Sequence, residues 1–114
     1  MVDLADIRAA TDGLPRSYEV LVRDSIKYRI GQIVYLAVAP DELSMGIAFP
    51  KEERDAIIEA QPDKFFRPLP RDERFRWIQV HLDAIDTDEL RELVLDAWRM
   101  CVPKKVAAEY LGRP

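Results

Sequence analysis

The sequence is short of the residues on which several kinds of site depend. It contains one cysteine, Cys101, and one histidine, His81. A single cysteine cannot form an internal disulfide, which suits a protein of the reducing cytoplasm. A lone histidine with no second histidine or cysteine close in sequence is a poor metal site. We therefore expect both residues to be structural, since a catalytic pair would need them to meet in the fold.

Glycine and long apolar runs are scarce as well. The four glycines are scattered, so there is no glycine-rich phosphate loop, and no serine stands in a nucleophile-elbow pattern. The longest apolar run covers residues 33–40, far below the roughly 20 residues of a membrane span. The acidic N-terminal segment does not resemble a signal peptide. We expect a cytoplasmic protein that is not an enzyme and that uses no metal, cofactor or membrane.

The composition is that of an ordinary globular domain, with 114 residues, 48% hydrophobic and 33% charged. This length predicts a single domain over residues 1–114. The formal net charge of −4 argues against a strong nonspecific nucleic-acid binder, which usually carries a basic surplus. The charge is segregated, however, because residues 64–76 are rich in lysine and arginine whereas residues 83–96 are rich in acids. A local basic patch is therefore compatible with the acidic total.

Hydrophobic periodicity predicts an α+β fold. Ile26, Tyr28 and Ile30 alternate with Lys27 and Arg29, as in a strand with one face on the core and the other outward. The clearest helical stripe runs through residues 90–101. The predicted strands cover residues 18–22, 26–30, 33–38, 43–49 and 75–80, and the predicted helices cover residues 3–11, 50–61, 86–101 and 103–111. This order indicates two layers: a twisted antiparallel sheet of about five strands with helices packed on one face.

The stretch 62–80 combines a proline-punctuated loop with the last strand. Phe65 and Phe66 are expected to tuck the loop against the core. Pattern alone does not decide which side of strand 75–80 faces inward, because both sides carry apolar residues. We assign Trp77 to the core.

The order and spacing of several short segments resemble the MmcQ/YjbR family of small bacterial proteins, over nearly the whole chain. The matching segments are Asp6-Ile7-Arg8, Leu14-Pro15, Ile30-Gly31-Gln32-Ile33, Lys51 to Ile57, Gln61 to Phe66, Trp77-Ile78-Gln79-Val80, Asp88 to Leu93 and Ala97-Trp98-Arg99. The resemblance implies a frataxin- or secretion-chaperone-like α+β fold. It also implies DNA binding, the label that members commonly carry, although it transfers no catalytic or ligand-binding residues.

The candidate nucleic-acid site consists of basic residues in the predicted outward strand face and in the 64–76 loop. Lysine and arginine neutralise phosphates, and an exposed aromatic ring stacks on bases. If Phe75 and Trp77 point inward, Arg76 points outward beside Lys27 and Arg29 and completes a basic sheet face. The full candidate set is Lys27, Arg29, Arg67, Arg71, Arg74 and Arg76.

Other interpretations of these features stay open. The basic loop is also explained as ordinary solvent-exposed charge. The acidic residues of 83–96 are also explained as the solvent-exposed face of a capped helix, and their spacing does not fit a calcium-binding loop. Ser44, Gly46 and Ala48 form a strand face of low relief, which leaves room for a ligand or another backbone. The alternative function is therefore a non-enzymatic protein- or small-ligand-interaction module that uses the open sheet face or the acidic helix. We expect a monomer, with DNA or a protein as partner.

Overall fold

A computed structural model describes residues 2–112 and contains an antiparallel sheet with helices on one face. The predicted α+β class is confirmed. The strands are β1 (Ser17–Val22), β2 (Ser25–Ile30), β3 (Ile33–Val38), β4 (Ser44–Ala48), β5 (Phe65–Phe66) and β6 (Trp77–His81). The helices are α1 (Leu4–Thr11), α2 (Lys51–Ala60), α3 (Thr87–Cys101) and α4 (Lys104–Tyr110). Single 3-10 turns lie at Pro70–Asp72 and Leu82–Ala84.

The sheet has six strands in the order β1-β2-β3-β4-β6-β5, where the sequence predicts about five. The predicted two-residue connection at Gly31 and Gln32 joins β2 to β3, with Ile30 paired to Ile33. The additional strand is the pair Phe65 and Phe66, which lies at the sheet edge beside β6. A two-residue strand is too short to show alternation, so its pairing is not visible in the sequence.

Acidic side chains cap the free N–H groups at the start of α1 and α3, whereas α2 and α4 follow Pro50 and Pro103 without a side-chain cap. Asp3 and Asp6 form a reciprocal capping box at α1. At α3, Asp86 accepts from the backbone N–H of Glu89 at 2.8 Å. The Glu89 side chain does not complete a reciprocal capping box, because it binds Lys64 Nζ at 2.6 Å instead. No helix within residues 2–112 is long and apolar enough to cross a membrane.

The core lies between the sheet and α3, which crosses β3 and β4. Tyr28, Leu36 and Ile47 point from successive strands toward this helix and are almost completely buried. Trp98 at the centre of the helix side has no exposed surface, and its Nε1 donates to the carbonyl of Pro15 at 2.9 Å. The Tyr110 ring contacts Trp98 edge to face, with centroids 5.2 Å apart. Trp98 therefore fastens α4 and the loop before β1 to the core.

The structure gives the orientation of β6, which the sequence pattern leaves open. Ile78 and Val80 have no exposed surface and pair with Ile47 and Met45 on the core side. Trp77, two residues before Gln79 on the same side of the strand, therefore lies on the face without helices. The assignment of Trp77 to the core is wrong because the branched side chains of β6 fill the space under α3.

Replacing Trp98 with phenylalanine tests how strongly this residue fastens the chain. The Trp98→Phe protein keeps an aromatic ring in the core but leaves the Pro15 carbonyl without its donor. We expect the free energy of unfolding to fall by about 1–3 kcal/mol, measured by urea denaturation followed by circular dichroism. A decrease below about 0.5 kcal/mol, the range of ordinary surface substitutions, would contradict this role.

Candidate functional site

The face of the sheet opposite the helices carries a continuous row of side chains across all six strands. Backbone pairing sets each of these residues directly beside the next, and side chains of paired residues point to the same face. In spatial order the row is Val20, Lys27, Ala37, Gly46, Gln79 and Phe66. Its centre is made of small residues, so the middle of this open face lies lower than its surroundings.

A groove of about 660 Å³ lies over the low centre of the open face and extends to the C-terminal end of α3, where Met100 and Cys101 line it. Ala37, Gly46 and Ala48 line it, with the Trp77 ring over Gly46 and Gln79 beside them. The loop before β6 supplies a wall that is charged and aromatic. The groove residues from this loop are Arg71, Asp72, Phe75 and Arg76.

Trp77 occupies the space that Gly46 leaves free. A Cβ atom built on Gly46 would lie 2.7 Å from both Cε2 and Cζ2 of Trp77, and closer still to Nε1. The backbone of Gly46 is not in the left-handed region, so glycine is required here by the close approach of the indole ring. The ring is half-buried and also lines the groove. In the sequence, the small residues of β4 indicate a strand face of low relief. They do not indicate that Trp77 packs on this face.

Arg54 of α2 holds the loop and the start of β6 in place. Its side chain is 7% exposed. Nη1 donates to the carbonyls of Phe75 and Trp77, each at 3.1 Å, and Nη2 donates to the carbonyl of Glu73 at 2.9 Å. The sequence places Arg54 on the buried stripe of α2, and a charged residue on such a stripe signals a buried polar contact. Its partners, however, lie about twenty residues further along the chain and could not be identified from the pattern.

The basic residues predicted to bind nucleic acid are divided among three environments. Lys27, Arg71 and Arg76 line the groove, and Asp72 is the one acidic residue that lines it with them. Lys27 and Arg29 share the open face, because both alternate with the buried Tyr28.

Arg29 lies beyond the groove, toward the β1 edge, where it is paired with Tyr18 and Val34. Its Nε atom is buried and has no hydrogen-bond partner among residues 2–112.

Arg67 and Arg74 point to other neighbours. Arg67 bonds to the carboxylate of Asp55, and its Nη1 lies 3.7 Å from Glu73 Oε2. The Arg74 guanidinium stacks over the ring of Phe75, 4.8 Å from the centroid. The exposed Phe75 ring thus contacts a cation and also lines the groove.

Arg76 reaches the groove from a direction that the sequence does not predict. It directly precedes β6, and its carbonyl accepts from the N–H of Phe49 at 3.0 Å. Alternation in β6 puts Trp77, not Arg76, on the face that carries Lys27 and Arg29. The Arg76 guanidinium also lies near the Cys101 thiol, where its charge partly opposes the rise in the thiol pKa caused by burial. Trp77 does not point inward, so the condition under which Arg76 would align with Lys27 and Arg29 on one strand face is not met.

His81, Tyr28 and Glu19 are held by structural contacts. His81 stacks on Phe66, with ring centroids 4.3 Å apart. Tyr28 donates to Glu19 at 2.7 Å; burial and this bond raise the pKa of the phenol, while Arg8 and Tyr28 lower the pKa of the Glu19 carboxyl. Within residues 2–112, no three histidine, cysteine or acidic side chains are grouped in a way that could hold a metal ion.

Comparisons with known proteins agree with the fold. A model of the YjbR family matches residues 12–100. No curated protein matches the chain. Among solved structures, the chain is similar to the crystal structure of the Deinococcus radiodurans protein DR2400, whose family-model domain is DUF419. The similarity has a TM-score of 0.77 and 21% identity, over 100% of this chain and 91% of that chain. At this identity the likeness concerns the fold alone.

A double-mutant cycle tests the packing of Trp77 on Gly46. Gly46→Ala should destabilise the protein by about 1–3 kcal/mol, because the new methyl group displaces the indole ring. In a Trp77→Leu background the same change should cost much less, since the clashing atoms are absent. Urea denaturation of the four proteins measures both values. An equal cost of Gly46→Ala in the two backgrounds would show that the ring does not occupy this space.

A second pair of variants tests Arg54. Arg54→Met leaves three backbone carbonyls without their donor, and we expect the free energy of unfolding to fall by about 3 kcal/mol. Lys51→Met is the matched control, because it removes a single hydrogen bond from the same helix to the carbonyl of Arg74. The control should stay within about 0.5 kcal/mol of the wild type. Equal destabilisation in the two variants would argue against Arg54 as the residue that holds the loop.

Proposed function

The chain belongs to the YjbR family, and from this premise we propose that it is a non-enzymatic protein that binds nucleic acid through the open-face groove. One observation carries the proposal: three cationic side chains and one acidic side chain line the groove that also holds Trp77. Cations neutralise phosphates, and an aromatic ring offers a surface to bases. The proposed contacts are Lys27, Arg71 and Arg76.

The other predicted basic residues contribute to the proposed binding to different extents. Arg29 extends the positive charge along the open face toward β1, and we propose that it contacts phosphate beyond the groove. Arg67 contributes less, because Asp55 and Glu73 already neutralise part of its charge. Arg74 acts mainly by supporting the exposed Phe75 ring. The basic residues predicted from the sequence thus remain one proposed interface, centred on the groove.

A small-ligand or protein-interaction role is the second candidate, and the shape of the groove favours it. Its volume of about 660 Å³ is in the range of small-molecule sites, and its floor is made of small apolar residues. Such a ligand would depend on the floor and on Gln79 more than on phosphate contacts. The salt dependence of binding separates the two candidates, because phosphate contacts weaken steeply as salt rises. A monomer in the cytoplasm stays a prediction under either candidate.

Charge-matched triple variants test nucleic-acid binding. Replacing Lys27, Arg71 and Arg76 with glutamine should weaken binding of a labelled oligonucleotide at least about tenfold at moderate salt, because several phosphates are then no longer neutralised. The slope of log affinity against log salt concentration should also become shallower, by about 0.7–0.9 for each phosphate that the variant leaves without its cation. Fluorescence anisotropy over a series of salt concentrations measures both quantities.

The control changes the net charge equally, at exposed positions away from the groove. It replaces Arg91, Lys104 and Lys105 of α3 and α4 with glutamine. Affinity and salt dependence should stay close to the wild type in this control. If the two triple variants behave alike, the groove is not the interface and the proposal fails.

A further inference from the structure

We propose that the open-face groove selects single strands over duplexes, with one unpaired base stacked on Trp77. This inference rests on the proposed nucleic-acid binding and adds the class of ligand. It is carried by the shape of the groove, by the seating of Trp77 on Gly46, and by the polar side chains beside the ring.

The shape of the surface favours a flexible strand. Proteins that read duplex DNA insert a protruding helix or a two-stranded ribbon into the major groove, which is about 12 Å wide. Here the cations and aromatic rings line a depression, with Ala37 at the bottom, the Trp77 ring over Gly46, and the loop of Arg71 and Phe75 at the side. The rigid backbone of a duplex cannot follow such a depression to its floor. A single strand can, because its bases are free to turn inward.

Trp77 has the geometry of a stacking platform. Gly46 lets the indole approach the backbone of β4 closely, so the ring is supported from below by a central strand. The strand next to it is fixed by the Arg54 contacts to the carbonyls of Phe75 and Trp77. A ring held in this way loses little conformational freedom when a base stacks on it. Stacking of this kind tolerates every base, because every base has a π-face.

The groups around the ring match the remaining parts of a nucleotide. Gln79 follows Trp77 on the same face and lines the groove, so its amide can donate to and accept from the edge of an unpaired base. Lys27 lies three strand spacings from Gln79 along the same row, or about 14 Å at about 4.8 Å for each spacing. A strand of linked nucleotides can place a base beside Gln79 and a phosphate beside Lys27 at this backbone separation.

The experiment compares one labelled strand of about 12 nucleotides with its own duplex, by fluorescence anisotropy at matched salt. We expect the single strand to bind at least about tenfold more tightly. Trp77→Leu should reduce single-strand affinity about tenfold, a value within the range for removal of one stacking ring, and leave duplex affinity nearly unchanged. An RNA strand of the same sequence, measured in parallel, shows whether the ligand is DNA or RNA.

A spectroscopic readout makes the result independent of the stability of the Trp77→Leu variant. In a Trp98→Phe protein, Trp77 is the one remaining tryptophan. Stacking of a base on its ring should quench its fluorescence on addition of the single strand, but not of the duplex. The folded state of both variants is checked by circular dichroism before titration.

The possible outcomes separate this inference from the proposed function. Preference for the single strand, with quenching of Trp77, supports both. Equal or tighter binding of the duplex overturns the single-strand inference but keeps the proposed function, provided that the Lys27, Arg71 and Arg76 variant weakens it. Single-strand binding that does not respond to Trp77→Leu also overturns the inference. Absence of binding to either form overturns both.

Discussion

The arrangement of side chains on the open face depends on one buried guanidinium, that of Arg54. A buried charge is costly unless it is hydrogen-bonded. Nη1 and Nη2 of Arg54 donate to the carbonyls of Glu73, Phe75 and Trp77, while its buried Nε has no partner among residues 2–112. These carbonyls lie where the chain leaves a 3-10 turn and enters β6, so they are not all used by the sheet. The contact therefore solves two problems together: it shields the charge of α2, and it fixes the point at which β6 begins.

The start of β6 determines which of its residues face the core. Once Ile78 pairs with Ile47 under α3, strand alternation sends Trp77 and Gln79 to the open face. A large indole on a flat sheet needs a neighbour without a side chain, and Gly46 supplies it. The position of Trp77, the small residues of β4 and the loop beside the groove thus follow from one strand register. The Arg54 hydrogen bonds hold β6 in this register.

Local patterns predict most of the fold, because alternation and helical periodicity are properties of neighbouring residues. The five longer strands, the four helices, and the opposite faces of Tyr28 and Lys27 are all confirmed. The orientation of β6 is not local, since both of its sides are apolar and the choice depends on which side fits under α3. The partners of Arg54 and Glu89 are distant in sequence as well. These long-range contacts are the ones that shape the candidate site, so the sequence predicts its basic residues but not their arrangement.

The distribution of charge explains how an acidic protein can present a basic groove. The acidic residues of α3 lie on the helix side of the sheet, whereas Lys27 and most of the groove lie on the opposite face, and the groove meets α3 at Met100 and Cys101. Physiological salt screens charges over about 8 Å, so the two faces act on a ligand almost independently. The net charge of −4 gives no long-range attraction for a polyanion. Affinity must therefore arise from short-range contacts inside the groove. Such contacts favour a ligand whose bases can enter the groove.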